Sequence, residues 1–159
     1  MDQQTAPARI ASFSVDHDLI VPGVYISRID GDITTFDLRT RRPNAGAYMD
    51  NVTMHTVEHL FATYVRASEI GDRVIYFGPM GCRTGFYLLV RSVEPTEVYR
   101  VIRAVLGRIA AHTGEVFGAS RKECGNYLEL ELLAGKRECE AYLAALPEEK
   151  SDFSYPGEN

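Results

Sequence analysis

The stretch "NVTMHTVEHLFATYV", residues 51–65, decides how the chain is read. Met54, Val57, Phe61, Tyr64 and Val65 recur at three- and four-residue spacing, which predicts an amphipathic helix with one buried stripe. Asp50, Asn51 and Thr53 each offer an N-cap. A helix turns about 100° per residue, so His55 and His59 stand about 40° apart and one turn along. Glu58 projects from nearly the same side. Both histidines border the apolar stripe rather than oppose it, which predicts partial burial, where an unpaired imidazole is costly. The three side chains therefore read in one of two ways: a metal site with a base beside it, or the polar face of a core helix. The spacing H-x-x-E-H occurs among zinc peptidases, and a metal would need a third ligand. Cys124 in "KECGNY" and Cys82 in "PMGCRTG" are the thiols available for that role. Cys139 lies in a helical pattern without a companion ligand and reads as a packing residue. His112 stands near a helix C-terminus, where a cation is favourable anyway. On its own spacing His17 in "VDHD" reads as a surface histidine.

Strands and further helices surround this segment. "VYISRI" (24–29) and "ITTFDLR" (33–39) alternate apolar and polar residues around "DGD", which predicts a β-hairpin. "RVIYF" (73–77) and "GFYLLV" (85–90) read as two more strands joined through the glycine-rich "GPMGC". Pro95 suits the first turn of a second helix that buries Val98, Ile102, Val105 and Ile109 and stops near Gly114. "EVFGASRKECGNYLELE" reads as mixed strand and loop. A last helix, roughly 129–146, carries Leu130, Leu133, Ala141 and Ala144 on one side. The order β-β-α-β-β-α-β-α predicts a single α+β domain, with a mostly antiparallel sheet packed against helices. Residues 1–9 read as a polar, mobile lead-in, 10–147 as the domain and 148–159 as a polar tail expected to fray.

Composition narrows the function classes. The 17 Lys+Arg against 22 Asp+Glu leave a net charge of −5, and no basic block occurs, so nucleic acid is not an expected partner. No apolar run is long enough to cross a bilayer, so no membrane partner is expected. The N-terminus lacks the charged and apolar regions of a signal peptide. An odd count of 3 cysteines suits reduced thiols, which together with the N-terminus predicts a cytoplasmic location.

Five motifs, in order, carry a family resemblance: "SFSVDHD" (12–18), "FDLR" (36–39), "HTVEH" (55–59), "GPMGCRTGFYL" (78–88) and "ECGNYL" (123–128). Over roughly residues 10–147 the chain resembles the S-ribosylhomocysteine lyases, the LuxS family of autoinducer-2 synthases. The resemblance implies that His55, His59 and Cys124 ligate a metal and that Glu58 and Cys82 are catalytic. It further implies that Ser12, His17 and Arg39 contact the substrate. One divalent ion per chain is implied, expected as Fe2+ with Zn2+ or Co2+ as alternatives. Homodimers with both active sites at the interface are implied as well. Tyr76 stands where the family often has aspartate and Gly78 where it usually has serine, which bears on the homocysteine end of the substrate.

The implied reaction cleaves S-ribosylhomocysteine to homocysteine and 4,5-dihydroxy-2,3-pentanedione, the autoinducer-2 precursor, which links it to quorum sensing and the methyl cycle. The thioether sits on the fifth carbon of the sugar and the carbonyl starts on the first. The carbonyl must migrate to the third carbon before β-elimination is possible. Each migration moves a proton between neighbouring carbons, which calls for positioned bases. Each also builds charge on oxygen, which calls for a Lewis acid with an open position, left by three protein ligands and closed by four. Cys82 would serve the first shift, favoured as thiolate by Arg39, Arg83 and loop N–H groups, and Glu58 the second shift and the elimination. Gly78, Gly81 and Gly85 would let the backbone approach the sugar. Two rivals remain open on sequence: an H-x-x-E-H zinc peptidase with Glu123 or Glu129 as third ligand, and a non-catalytic module in which His55, His59, Cys82 and Cys124 close a structural Cys2His2 zinc site.

Overall fold

A computed structural model of the chain describes residues 6–158. Of the expected lead-in, residues 1–5 lie outside the described residues, and 6–9 are exposed and without regular structure. The hairpin forms as β1 (Gly23–Asp30) and β2 (Ile33–Arg39), with Asp30 opposite Ile33 across a tight Gly31-Asp32 turn. Helix α1 (Asn51–Arg66) follows, capped by Asp50, whose carboxylate accepts from the Thr53 N–H at 2.7 Å. Next come β3 (Val74–Pro79), β4 (Gly85–Arg91), α2 (Pro95–Ala110, with Pro95 in its first turn) and α3 (Leu132–Ala145). The sheet order is β1-β2-β4-β3, antiparallel throughout. The α+β architecture is thus as read.

Two local expectations are corrected. Among the described residues, 115–131 forms turns and no fifth strand. Its alternating "YLELE" fails as a strand because Leu128 is 78% exposed and Glu131 is instead the N-cap of α3. The buried face of α3 is also different from the expected one: Gly135, Glu138, Cys139 and Tyr142 face inward, while Leu133, Ala141 and Ala144 are exposed. Glu138 is buried because Arg41 from the segment after β2 grips it through Nε and Nη2, at 2.9 and 2.7 Å.

Strand side chains alternate between faces. One face of the sheet carries Val24, Phe36, Leu38, Phe86, Leu88 and Val90 into the main core with the three helices. Phe61 of α1 stacks on Phe77, which stacks on Phe86, at 4.3 and 5.1 Å between ring centroids. The opposite face carries Tyr25, Asp37 and Tyr87 side by side in register, with Arg39 beyond them. Chain segments outside the sheet cover this second face, with Ile20 and Tyr155 packed on Tyr25. The tail does not fray where it meets the sheet. Phe153 is buried in the main core and its carbonyl accepts from the Ile26 N–H at 2.8 Å, closing part of the free edge of β1.

Candidate active site

His55 and His59 lie on consecutive turns of α1 and are half-buried, as their place beside the apolar stripe predicts. The Nδ1 of His55 is 2.9 Å from the carbonyl of Glu129, and the Nδ1 of His59 is 2.7 Å from the carbonyl of Phe117. A carbonyl only accepts, so the Nδ1 of each ring donates to the backbone and Nε2 is the atom left for a metal. Cys124, held by the turn in which its N–H donates to the Ser120 carbonyl, places Sγ 3.3 Å from the His55 Nε2. Ligand atoms of His55, His59 and Cys124 all lie within 4.8 Å of one another. Two imidazoles oriented by the backbone and one thiol are a donor set that fits a divalent transition metal and leaves a position open. Among the described residues this is the one such group of three.

The irregular segment 115–131 is what makes the group. It supplies both carbonyls and the thiol, and it needs Gly118, whose φ of +67° suits glycine and whose missing Cβ would stand 3.2 Å from the His59 Nδ1. Thr56, fully buried one residue after His55, accepts from the Glu131 N–H at 2.9 Å and thereby ties α1 to the start of α3.

Cys82 belongs to a second cluster. It sits on the turn between β3 and β4, exposed, with its Sγ 3.0 Å from the Thr84 hydroxyl and 4.0 Å from the Arg39 Nη1. Arg39, 3% exposed, donates from Nη1 to the Thr84 hydroxyl at 2.8 Å and forms a two-pronged pair with Asp37, 3.1 Å from Nε and 2.6 Å from Nη2. Burial opposes the charge of Arg39, but the hydrogen bonds and charge of Asp37 outweigh it and keep the guanidinium protonated. A hydroxyl and a cation thus face the Cys82 sulfur.

The family model for S-ribosylhomocysteinase (LuxS) matches residues 10–152. The chain belongs to this family. Among curated relatives, the S-ribosylhomocysteine lyase of Clostridium acetobutylicum is 45% identical over 130 residues, covering 78% of this chain and 82% of its own. That of Clostridium beijerinckii is 43% identical over 134 residues, covering 80% and 84%. That of Borreliella afzelii is 39% identical over 155 residues, covering 93% and 99%.

The remaining LuxS motifs fall as follows. Glu58 is half-buried beside His59 and makes no hydrogen bond or ion pair among the described residues. Ser12 lies on a short 3-10 turn (Ala11–Phe13), and His17 follows with Nδ1 2.9 Å from the Val15 carbonyl, which leaves its Nε2 without a partner among the described residues. Gly85 is explained by the sheet, since a Cβ there would meet the Leu38 carbonyl oxygen at 2.6 Å. For the peptidase rival, Glu129 meets His55 with its backbone and Glu123 binds the Ser120 hydroxyl. For the structural-zinc rival, Cys82 is bound to Thr84 and Arg39 and lies outside the metal-capable group. The sequence reading missed Thr84, Asp37 and the carbonyls of Phe117 and Glu129. The alternation of "FDLR" was a usable signal for Asp37, because it puts a carboxylate on the same sheet face as Arg39.

Proposed function

We propose that the chain is an S-ribosylhomocysteine lyase, a carbon–sulfur lyase that releases homocysteine and 4,5-dihydroxy-2,3-pentanedione. The observation that carries this is the group His55, His59 and Cys124, with both imidazole Nδ1 atoms held by backbone carbonyls, in a chain of the LuxS family. These three residues hold one divalent metal, Fe2+ in the working enzyme, with Zn2+ or Co2+ able to take its place. When bound, the ion supplies Lewis acidity toward the sugar's oxygens during enolisation. Cys82 takes the proton from the second carbon and returns it to the first, which moves the carbonyl one position. Glu58 takes the proton from the third carbon and returns it to the second, which moves the carbonyl again. Glu58 then removes the proton on the fourth carbon, the electron pair forms the double bond to the fifth, and homocysteine leaves from the fifth as thiolate. The resulting enol loses its hydroxyl proton and gains one on the fifth carbon to give the dione. Ser12 and His17 bind the substrate, as does Arg39 through the edge of its guanidinium beside Cys82.

The lyase unit begins near residue 10, takes in the tail that packs Phe153 and Tyr155 against it, and works in the cytoplasm as a homodimer with its sites at the subunit interface. Among the described residues no hydrogen bond joins the Cys82 cluster to the histidine–thiol group, which suits a site completed across two chains. No described helix is long and apolar enough to cross a membrane. The test is direct. Protein purified without oxygen is loaded with Fe2+, given S-ribosylhomocysteine and assayed for free thiol. Stoichiometric homocysteine release is expected. Intact substrate with a metal-loaded protein would contradict the proposal.

A further inference from the structure

The tail beyond α3 is polar and mostly exposed, yet it drives two aromatic rings inward. Phe153 enters the main core, and Tyr155 stacks on Tyr25 with centroids 5.0 Å apart. An aromatic plug over the sheet would be complete at that point. The Tyr155 hydroxyl goes further and donates to Asp37 Oδ2 at 2.7 Å. Asp37 is fully buried and is the same carboxylate that grips Arg39. Arg39 in turn donates to Thr84 and presents Nη1 to the Cys82 sulfur. One unbroken line of hydrogen bonds therefore runs from the tail to the exposed thiol. Burial first, and then the charge of Asp37, hold the Tyr155 hydroxyl far above the ordinary tyrosine range, so it remains a donor.

We propose that Tyr155 is a positioning residue for the Cys82 thiol, acting through Asp37 and Arg39. The physical reason is charge sharing in a buried site. A carboxylate that accepts from Tyr155 as well as Arg39 has part of its charge taken up by the hydroxyl. More of the guanidinium's positive potential is then felt at the sulfur. Without the hydroxyl, Asp37 draws on Arg39 alone, and its own negative potential at the sulfur rises. Both changes disfavour the thiolate. The charged and titratable groups around the sulfur are Arg39, Asp37, Tyr87 and Tyr155 in this cluster and Arg83 on the same loop. Tyr87 stays neutral, since burial and then Asp37 raise its hydroxyl.

This inference rests on Cys82 acting as the proton-transferring thiol, and its test has a readout independent of turnover. Tyr155→Phe keeps the ring and its stacking and removes only the hydroxyl. The probe is iodoacetamide, with carbamidomethylation of Cys82 followed by peptide mass spectrometry across pH in the full-length, metal-loaded protein. In Tyr155→Phe the alkylation profile should move to higher pH and the rate at pH 7 should fall roughly 3- to 10-fold. The kcat for homocysteine release should fall by a similar factor, with KM within about twofold of wild type. Phe153→Leu, which loosens the tail but keeps the hydroxyl, should lower Tm without moving the profile. Superimposable profiles for wild type and Tyr155→Phe would overturn the inference, as would equal shifts in Tyr155→Phe and Phe153→Leu. A shift in Tyr155→Phe within a protein that releases no homocysteine would uphold the positioning and overturn the lyase reading instead.

Discussion

His55 and His59 are set up by atoms that no side-chain motif records. Their Nδ1 protons go to the carbonyls of Glu129 and Phe117, and this leaves both Nε2 atoms for a metal. Glu58, between them in sequence, has no competing partner among the described residues. Glu58→Gln keeps the shape of the side chain and removes the base. The metal content should be unchanged, and turnover should fall by roughly 10²–10⁴-fold. Accumulation of the ketose isomers would accompany the loss, detectable by 13C NMR of labelled substrate. Wild-type homocysteine release from this variant would remove Glu58 from the mechanism. At this scale the sequence was informative about residue types and silent about their partners. The helical spacing of two histidines and a glutamate is visible in a string of letters. A backbone carbonyl aimed at a ring nitrogen is not, because every residue has one.

Among the elements, α1 and the hairpin were legible because their apolar periods are regular and their turn and cap residues agree with them. Helix α3 was not. Its inward face holds a glycine, a glutamate and a tyrosine, each acceptable only because of something distant in sequence. Arg41 neutralises Glu138, and the Gly23 carbonyl accepts from the Tyr142 hydroxyl at 2.6 Å. Gly135 lets α3 come close to α1: a Cβ there would lie 2.6 Å from Thr56 Cγ2. Gly135→Ala should therefore destabilise the fold by about 1–3 kcal/mol despite the better helix propensity of alanine. Because Thr56 is adjacent to His55, metal affinity should fall with it. Urea unfolding and a chelator competition would measure the two effects. A stabilised variant with unchanged metal affinity would show that the helices separate freely. Residues 115–131 were misread for the same reason as α3: the segment is shaped by the histidines it serves rather than by its own alternation.

For the whole molecule, the sheet divides the chemistry. The helices on one face carry the histidines and Glu58, while Asp37 and Arg39 lie on the other, linked to Cys82 on the β3–β4 turn. If a homodimer joins the two clusters across its interface, Glu58→Gln and Cys82→Ala should complement each other. Each variant is inactive alone, and mixed, refolded protein should recover about a quarter of wild-type activity, since half the dimers would then hold one intact site. A monomer in sedimentation at micromolar concentration would contradict this arrangement. The central claim is narrower and concerns the two accessible thiols, one a ligand and one a base. Its most direct measurement is the metal content of Cys82→Ala and Cys124→Ala, purified side by side without oxygen. Cys82→Ala should retain one metal per chain and lose turnover. Cys124→Ala should lose most of its metal, because two imidazoles leave the site incomplete. Equal metal loss from both variants would contradict the account, since it would make Cys82 a ligand and leave the first proton shift without its base.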